Sequence, residues 1–272
     1  MIFGKKPYYS YKSEKQIWRL LLSDNSKLLI EERGGDKKDV FFNLIDVKSK
    51  SFLLESWQLE ETQWVGVDLI TDDYIFFHRY VKPDLPHHIG IILYSISEKK
   101  VVWKDENRVF EFFDDNVIYC SSRGTYEKLH FALKIDEGKI VEDTEIDLGT
   151  FNVIRAEKNN RDFSGYLFPD VRDISDPGVE KVLKINKVGT LNIAGNIEVI
   201  AFRQYWIISY HTKKTDDLYK CQLVIFDTDK EKKIVEEELG DNLKTLFFDS
   251  FFIRGNFLFV LKGKKEIVIY DL

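Results

Sequence analysis

Short apolar runs recur along the chain, each broken by a polar turn, with the period of strands rather than of helices. The clearest copy is LIDVKSKSFL (44–53): an apolar strand, a tight polar turn and a second strand. The same figure returns in LYSISEKKVV (93–102), ALKIDEGKIV (132–141), VLKINKVGTL (182–191) and IFDTDKEKKIV (225–235), and in truncated form in IYDL (269–272). The fourth position of each copy falls at Val47, Ile96, Ile135, Ile185, Thr228 and Leu272, a mean spacing of 45 residues. Two further strand-like runs precede each motif, such as Trp64–Ile70 and Tyr74–Tyr80, Ile197–Arg203 and Tyr205–His211, or Thr245–Ile253 and Asn256–Lys262. Four strands at a period of roughly 40–50 residues is the pattern of propeller blades. The pattern therefore predicts an all-β chain, a six-bladed β-propeller with four antiparallel strands per blade. Pro7–Tyr11 is an extended stretch expected to supply the missing outer strand of the last blade. Five blades is the alternative if repeat four (Phe151–Ile193) is no true blade; a β-sandwich ranks third.

The segments SISEKKVVW (95–103) and KIDEGKIVE (134–142) resemble the quinoprotein-like or YVTN-like propeller repeat, which runs apolar strand, Asp, turn, Gly-Lys, apolar strand, Trp. The resemblance implies fold only. The glycine is present in few copies and the closing tryptophan only as Trp103, so quinone binding is not carried over.

Composition narrows the class. With 272 residues, 44% hydrophobic and 14% aromatic, and no Pro/Gly/Ser-rich linker, the chain is expected to form one domain over 1–272. A net charge of −6 argues against nucleic-acid binding, which needs a basic surface. No run approaches the length of a membrane span, and the N-terminus lacks a signal-like apolar region. A cytoplasmic monomer is the expectation. The two cysteines, Cys120 and Cys221, lie in apolar strands of different repeats and are expected to be buried and unpaired.

Candidate chemistry follows from the loops. Asp/Asn-rich tight turns, among them 23–26, 71–73, 114–116 and 158–160, read as turn chemistry. The longer loops each begin near a basic residue: Arg33, Arg79, Arg123, Arg172, Lys213 and Lys262. With His87, His88 and His211 they make a candidate binding face for a protein or a small anionic ligand, with no cofactor implied. This non-catalytic binding or scaffold role is the first functional expectation. The second is a metal-assisted hydrolase of lactonase type, holding a metal with inner-strand Asp68, Asp114, Asn152 and Asp249. His78 lies across a loop from His87-His88 and could approach either. Adjacent histidines on a strand point to opposite faces, so two of the three at most would converge, and a metal would need other ligands. No G-x-S-x-G elbow and no Gly-rich phosphate loop is present.

Overall fold

The computed structural model describes residues 5–34, 39–81, 87–123, 127–162, 164–186, 188, 192–215 and 217–272. The chain divides into two compact units, Lys15–Ser164 on one hand, and Met1–Glu14 with Gly165–Leu272 on the other. Among the described residues no helix is long and apolar enough to cross a membrane.

In chain order, β1 (Tyr9–Lys12) belongs to the split unit. The unit Lys15–Ser164 begins with β2 (Gln16–Leu22), β3 (Lys27–Gly34), β4 (Asp39–Asp46) and β5 (Ser51–Trp57). It continues through β6 (Val65–Ile70), β7 (Tyr74–Tyr80), β8 (His88–Ser95) and β9 (Lys100–Asp105). It ends with β10 (Val109–Asp114), β11 (Val117–Arg123), β12 (Lys128–Asp136), β13 (Lys139–Ile146) and the helix α1 (Leu148–Asp162). The split unit resumes at β14 (Tyr166–Leu167), β15 (Asp170–Arg172) and α2 (Pro177–Ile185). It then runs through β16 (Ile193–Phe202), β17 (Tyr205–Thr215), β18 (Leu218–Asp227), β19 (Lys232–Leu243), β20 (Phe251–Arg254), β21 (Phe257–Lys262) and β22 (Glu266–Asp271).

In the first unit β2–β5 form an antiparallel four-stranded sheet, and β6–β13 form one of eight strands. The eight-stranded sheet is antiparallel except where β10 meets β8 in parallel, at the single pair Val109↔Gly90. β7 and β8 read as near-continuous apolar runs because both of their faces are covered. Phe77, Ile92 and Tyr94 pack against Leu29, Phe42 and Leu44 of the four-stranded sheet. Phe76, Ile91 and Leu93 pack against Ile118, Cys120 and Leu133. Trp57 lies among Phe42, Phe77 and Tyr94, with ring centroids 6.3, 5.7 and 4.6 Å away.

The split unit holds two five-stranded sheets, ordered β1-β22-β21-β20-β14 and β15-β16-β17-β18-β19. The N-terminal stretch does pair with the C-terminal strand, Tyr9 opposite Ile269 and Lys12 opposite Glu266. Cys120 and Cys221 are buried and free.

The six-bladed propeller is overturned. The described strands make sheets of five, eight, five and four strands, and none closes into a ring. Four motif copies do form hairpins, β4–β5, β8–β9, β12–β13 and β18–β19. Repeat four does not. VLKINKVGTL runs out of α2, where Val179, Val182 and Leu183 are buried at helical spacing. Asp176 caps that helix, its carboxylate accepting from the Gly178 and Val179 N–H groups, with Pro177 at the first helical position. These local signals outweigh the resemblance of VLKI to the strand motif. Likewise 158–160, expected as a tight turn, belongs to α1.

Candidate metal centre

Three side chains of β6, β7 and β8 converge on one face of the eight-stranded sheet: Asp68, His78 and His88. Strand pairing explains how. Gly66 lies opposite His78, and Tyr80 opposite His88, so His78, Tyr80 and His88 share a face. Two irregularities of register bracket His78. On β6 the pairing steps from Val67↔Phe77 to Leu69↔Phe76, leaving Asp68 as the extra residue of a bulge. On β8 it steps from Phe77↔Ile92 to Arg79↔Ile89, with Gly90 held at φ +78°. Such a φ is open to glycine at no steric cost, and bulges of this kind re-aim side chains.

The geometry is close. His78 Nδ1 lies 2.8 Å and His88 Nδ1 3.3 Å from the same oxygen, Asp68 Oδ1. The imidazoles stack with centroids 3.6 Å apart and planes 12° from parallel. Tyr80 meets both rings edge-on, at 4.9 and 5.2 Å. His78 is fully buried, the Asp68 side chain is 10% exposed and that of His88 35% exposed, so the site opens on the His88 side.

An ordinary Asp–His hydrogen bond would account for the 2.8 Å approach, yet neither ring nitrogen of His78 has an aligned hydrogen-bond partner, and neither does Asp68 Oδ2. The Nδ1 and Oδ1 atoms are near each other without pointing at each other. Burial by itself would raise the Asp68 carboxyl; the flanking imidazoles outweigh it and hold the group below the ordinary carboxylate range. Two imidazoles and one carboxylate suit zinc and related transition ions, and three protein ligands leave positions open. Loading requires the stacked rings to tilt apart, and His88, the exposed member, is the one with room to do so.

The structure separates the other expected site residues. His87 is exposed just before β8 and outside the cluster. Asp114 is half-buried at the end of β10, Asn152 is exposed on α1, and Asp249 is exposed with its N–H donated to Glu198 Oε1 at 2.7 Å. So, of the four expected oxygen ligands, only Asp68 joins a cluster among the described residues. His211 is buried, its Nε2 accepting from the Phe247 N–H at 3.3 Å. Four of the basic loop residues are held by carboxylates: Arg33 by Glu31 at 2.7 Å, Arg79 by Glu106, Arg172 by Asp176 at 3.1 Å and Lys262 by Glu237 at 2.6 Å. Lys213 is exposed on β17. The side chain of Arg123 lies outside the described residues, as do 35–38, 82–86 and 124–126 of the expected loops. In the acidic turn at 71–73 the local bonds are made by Thr71, whose Oγ1 accepts from the Asp73 and Tyr74 N–H groups, whereas Asp72 reaches the turn at 23–26 and accepts from Ser23 Oγ, the Asn25 N–H and Asn25 Nδ2. Gly66 and Tyr80 escaped the sequence reading; a glycine inside a strand was the one signal available.

Residues 22–103, which include the whole cluster, match a family model described as a domain of unknown function, DUF4905. No curated protein matches. Among solved structures, a member of the DUF4221 family from Bacteroides vulgatus aligns over 98% of this chain and 96% of its own, at 10% identity and a TM-score of 0.27.

Proposed function

We propose that this protein binds a divalent transition metal ion through Asp68, His78 and His88, with coordination positions left open for an outside ligand. The observation that carries the reading is His78: completely buried, with Nδ1 beside a carboxylate and both nitrogens lacking an aligned partner. Each unsatisfied buried polar group costs about 1–3 kcal/mol. Coordination at Nδ1 removes one such cost, and it explains why a second imidazole presents the same atom to the same carboxylate. Open positions on a His/His/carboxylate ion are what metal-assisted hydrolysis requires, and that is the chemistry we assign. The alternative role, an anion- or protein-binding face built from the basic loops, draws less support, because Arg33, Arg79, Arg172 and Lys262 already have carboxylate partners.

The test is metal content. The full chain, equilibrated with low-micromolar Zn²⁺ and then dialysed against metal-free buffer, is expected to retain about one ion per chain. Asp68→Asn and His88→Ala, at partly exposed positions and checked for native circular dichroism, are expected to lose it. A folded wild-type chain that retains no more zinc than a protein without such a cluster would end the proposal.

A further inference from the structure

We infer that Arg19 is a positioning residue of this centre, setting the Asp68 carboxylate by holding the peptide that leads into it. The inference rests on the metal reading above and adds to it the part that fixes the one anionic ligand. Asp68 is the extra residue of the β6 bulge, so the β6–β7 ladder pairs Val67 and Leu69 and passes over it. β6 is also the last strand in the pairing order of its sheet. The Trp64 carbonyl takes the Tyr80 N–H at 2.8 Å. Carbonyls alternate in direction along a strand, so those of Val65 and Val67 point away from β7. A ligand on a bulge of an end strand needs a hold from outside the ladder.

Two arginines of the four-stranded sheet supply it. Arg33 Nη2 reaches the Val65 carbonyl at 3.4 Å, and Arg19 Nη1 donates to the Val67 carbonyl. The two carbonyls flank Gly66, the residue opposite His78. The second hold is the decisive one. The Val67 carbonyl and the Asp68 N–H belong to one planar peptide group, so fixing the oxygen fixes the plane from which Asp68 departs. Arg19 is itself placed by a bulge. The β2–β3 pairing steps from Ile17↔Glu32 to Arg19↔Glu31, which makes Trp18 the extra residue and brings Arg19 opposite Glu31. Arg33 follows Glu31 by two residues and shares that face. Glu31 is 1% exposed and takes Arg33 Nε at 2.9 Å and Nη2 at 2.7 Å. The bulge that carries the ligand and the bulge that carries its support are thus joined by the Arg19–Val67 hydrogen bond, inside one compact unit. Without Arg19 the carbonyl of the buried Val67 loses this donor, and the peptide is free to turn toward another, taking Asp68 with it.

The test uses Co²⁺ as a visible reporter in the full chain, because its d–d band responds to the number and arrangement of its ligands. Arg19→Met keeps an unbranched stem and removes the donors. Checked for native circular dichroism, it is expected to bind Co²⁺ about 10–100-fold more weakly than wild type and to shift the band of the loaded protein. Arg108→Met is the control. It removes an arginine of the same unit, just before β10, that pairs with Asp105 at 3.3 Å and Asp143 at 2.6 Å. It is expected to leave affinity and band as in wild type, whatever it does to the melting temperature. Where Arg19→Met does not fold, Arg19→Lys, which keeps the charge and gives up the reach of the guanidinium, is expected to show the same weaker binding and shifted band. Wild-type affinity or a wild-type band in the folded Arg19 variant, or an equal loss in Arg108→Met, would overturn the inference while leaving the metal site standing. A wild-type chain that takes up no Co²⁺ would remove both.

Discussion

Gly66 is where a single added atom would reach the centre. A Cβ at that position would lie 2.6 Å from His78 Nε2, 2.9 Å from its Cε1 and 3.1 Å from the Tyr80 hydroxyl. Real side chains do not tolerate the first of these distances, and His78 cannot retreat, because it is fully buried against Tyr80 and His88. Gly66→Ala is therefore expected to push the imidazole off Asp68. Displacing a ligand from its set orientation typically costs 10–100-fold in metal affinity. Competition for Zn²⁺ against a chromophoric chelator measures this, with Gly34→Ala, outside the cluster, as the control. An unchanged zinc affinity in a folded Gly66→Ala protein would show that the His78 ring is not held where its Nδ1 serves as a ligand. The residues of the site were visible one at a time in the sequence. Asp68, His78 and His88 were each singled out, and the opposite-face rule for adjacent histidines correctly limits the cluster to one of His87 and His88. The approach of His78 to one of His87 and His88 is legible from the loop that joins their strands; the arrival of Asp68 beside them is not, because it depends on a bulge at Asp68 that leaves no pattern in the sequence.

At the scale of elements, the β16–β17 hairpin carries a second buried polar pair. Glu198 accepts the Asp249 N–H and His211 accepts the Phe247 N–H, so the segment leading into β20 is tied down by two titratable groups. Burial raises the Glu198 carboxyl above its ordinary value of 4.5, with the Asp249 N–H opposing, and burial lowers His211 below 6.5. The signs run in opposite directions. A raised carboxyl means the folded chain holds its proton longer than the unfolded one, so that contribution to stability is full below pH 4.5 and is lost as pH rises through the folded pKa. A lowered histidine contributes above 6.5 and loses its contribution as pH falls through the folded pKa. Glu198→Gln retains a carbonyl to accept the Asp249 N–H and removes the first dependence. Its melting temperature is expected to match or fall below wild type under pH 4.5, and to gain on wild type as pH rises, by about 2–4 °C per kcal/mol for a chain of this size. A difference between the two proteins that stays constant with pH would show that Glu198 titrates as if exposed. Elements were legible where burial and propensity agree: β7, β8, β17 and β21 came through as strands. The helix α2 is masked by the four-residue likeness of VLKI to the strand motif, although Asp176-Pro177 and the spacing of Val179, Val182 and Leu183 carry a helix cap and a helical period.

On the scale of the whole molecule, the 45-residue period identified real hairpins but not their assembly. A repeat states which strands pair locally; which sheet they then join depends on contacts such as Val109↔Gly90, where a second group of strands is attached to β8 through one residue pair. The two compact units allow the metal reading to be localised without any reporter chemistry. All three ligands lie in the unit Lys15–Ser164. A ligand that binds only the folded state stabilises it by RT ln(1 + [L]/Kd), about 2.7 kcal/mol at a hundredfold excess over Kd. That free energy acts on the openings that separate β6, β7 and β8, since each contributes one ligand. Hydrogen exchange followed by mass spectrometry on the full chain, with Zn²⁺ or with chelator, is expected to show slower exchange with zinc in peptides from Val65–Ser95. Peptides from β16–β18 in the other unit are expected to exchange alike in both conditions. If zinc instead slows β16–β18 as much as β6–β8, the ion acts through sites elsewhere or through global stabilisation; if it slows neither, the cluster is a buried polar contact of the sheet and not a metal centre.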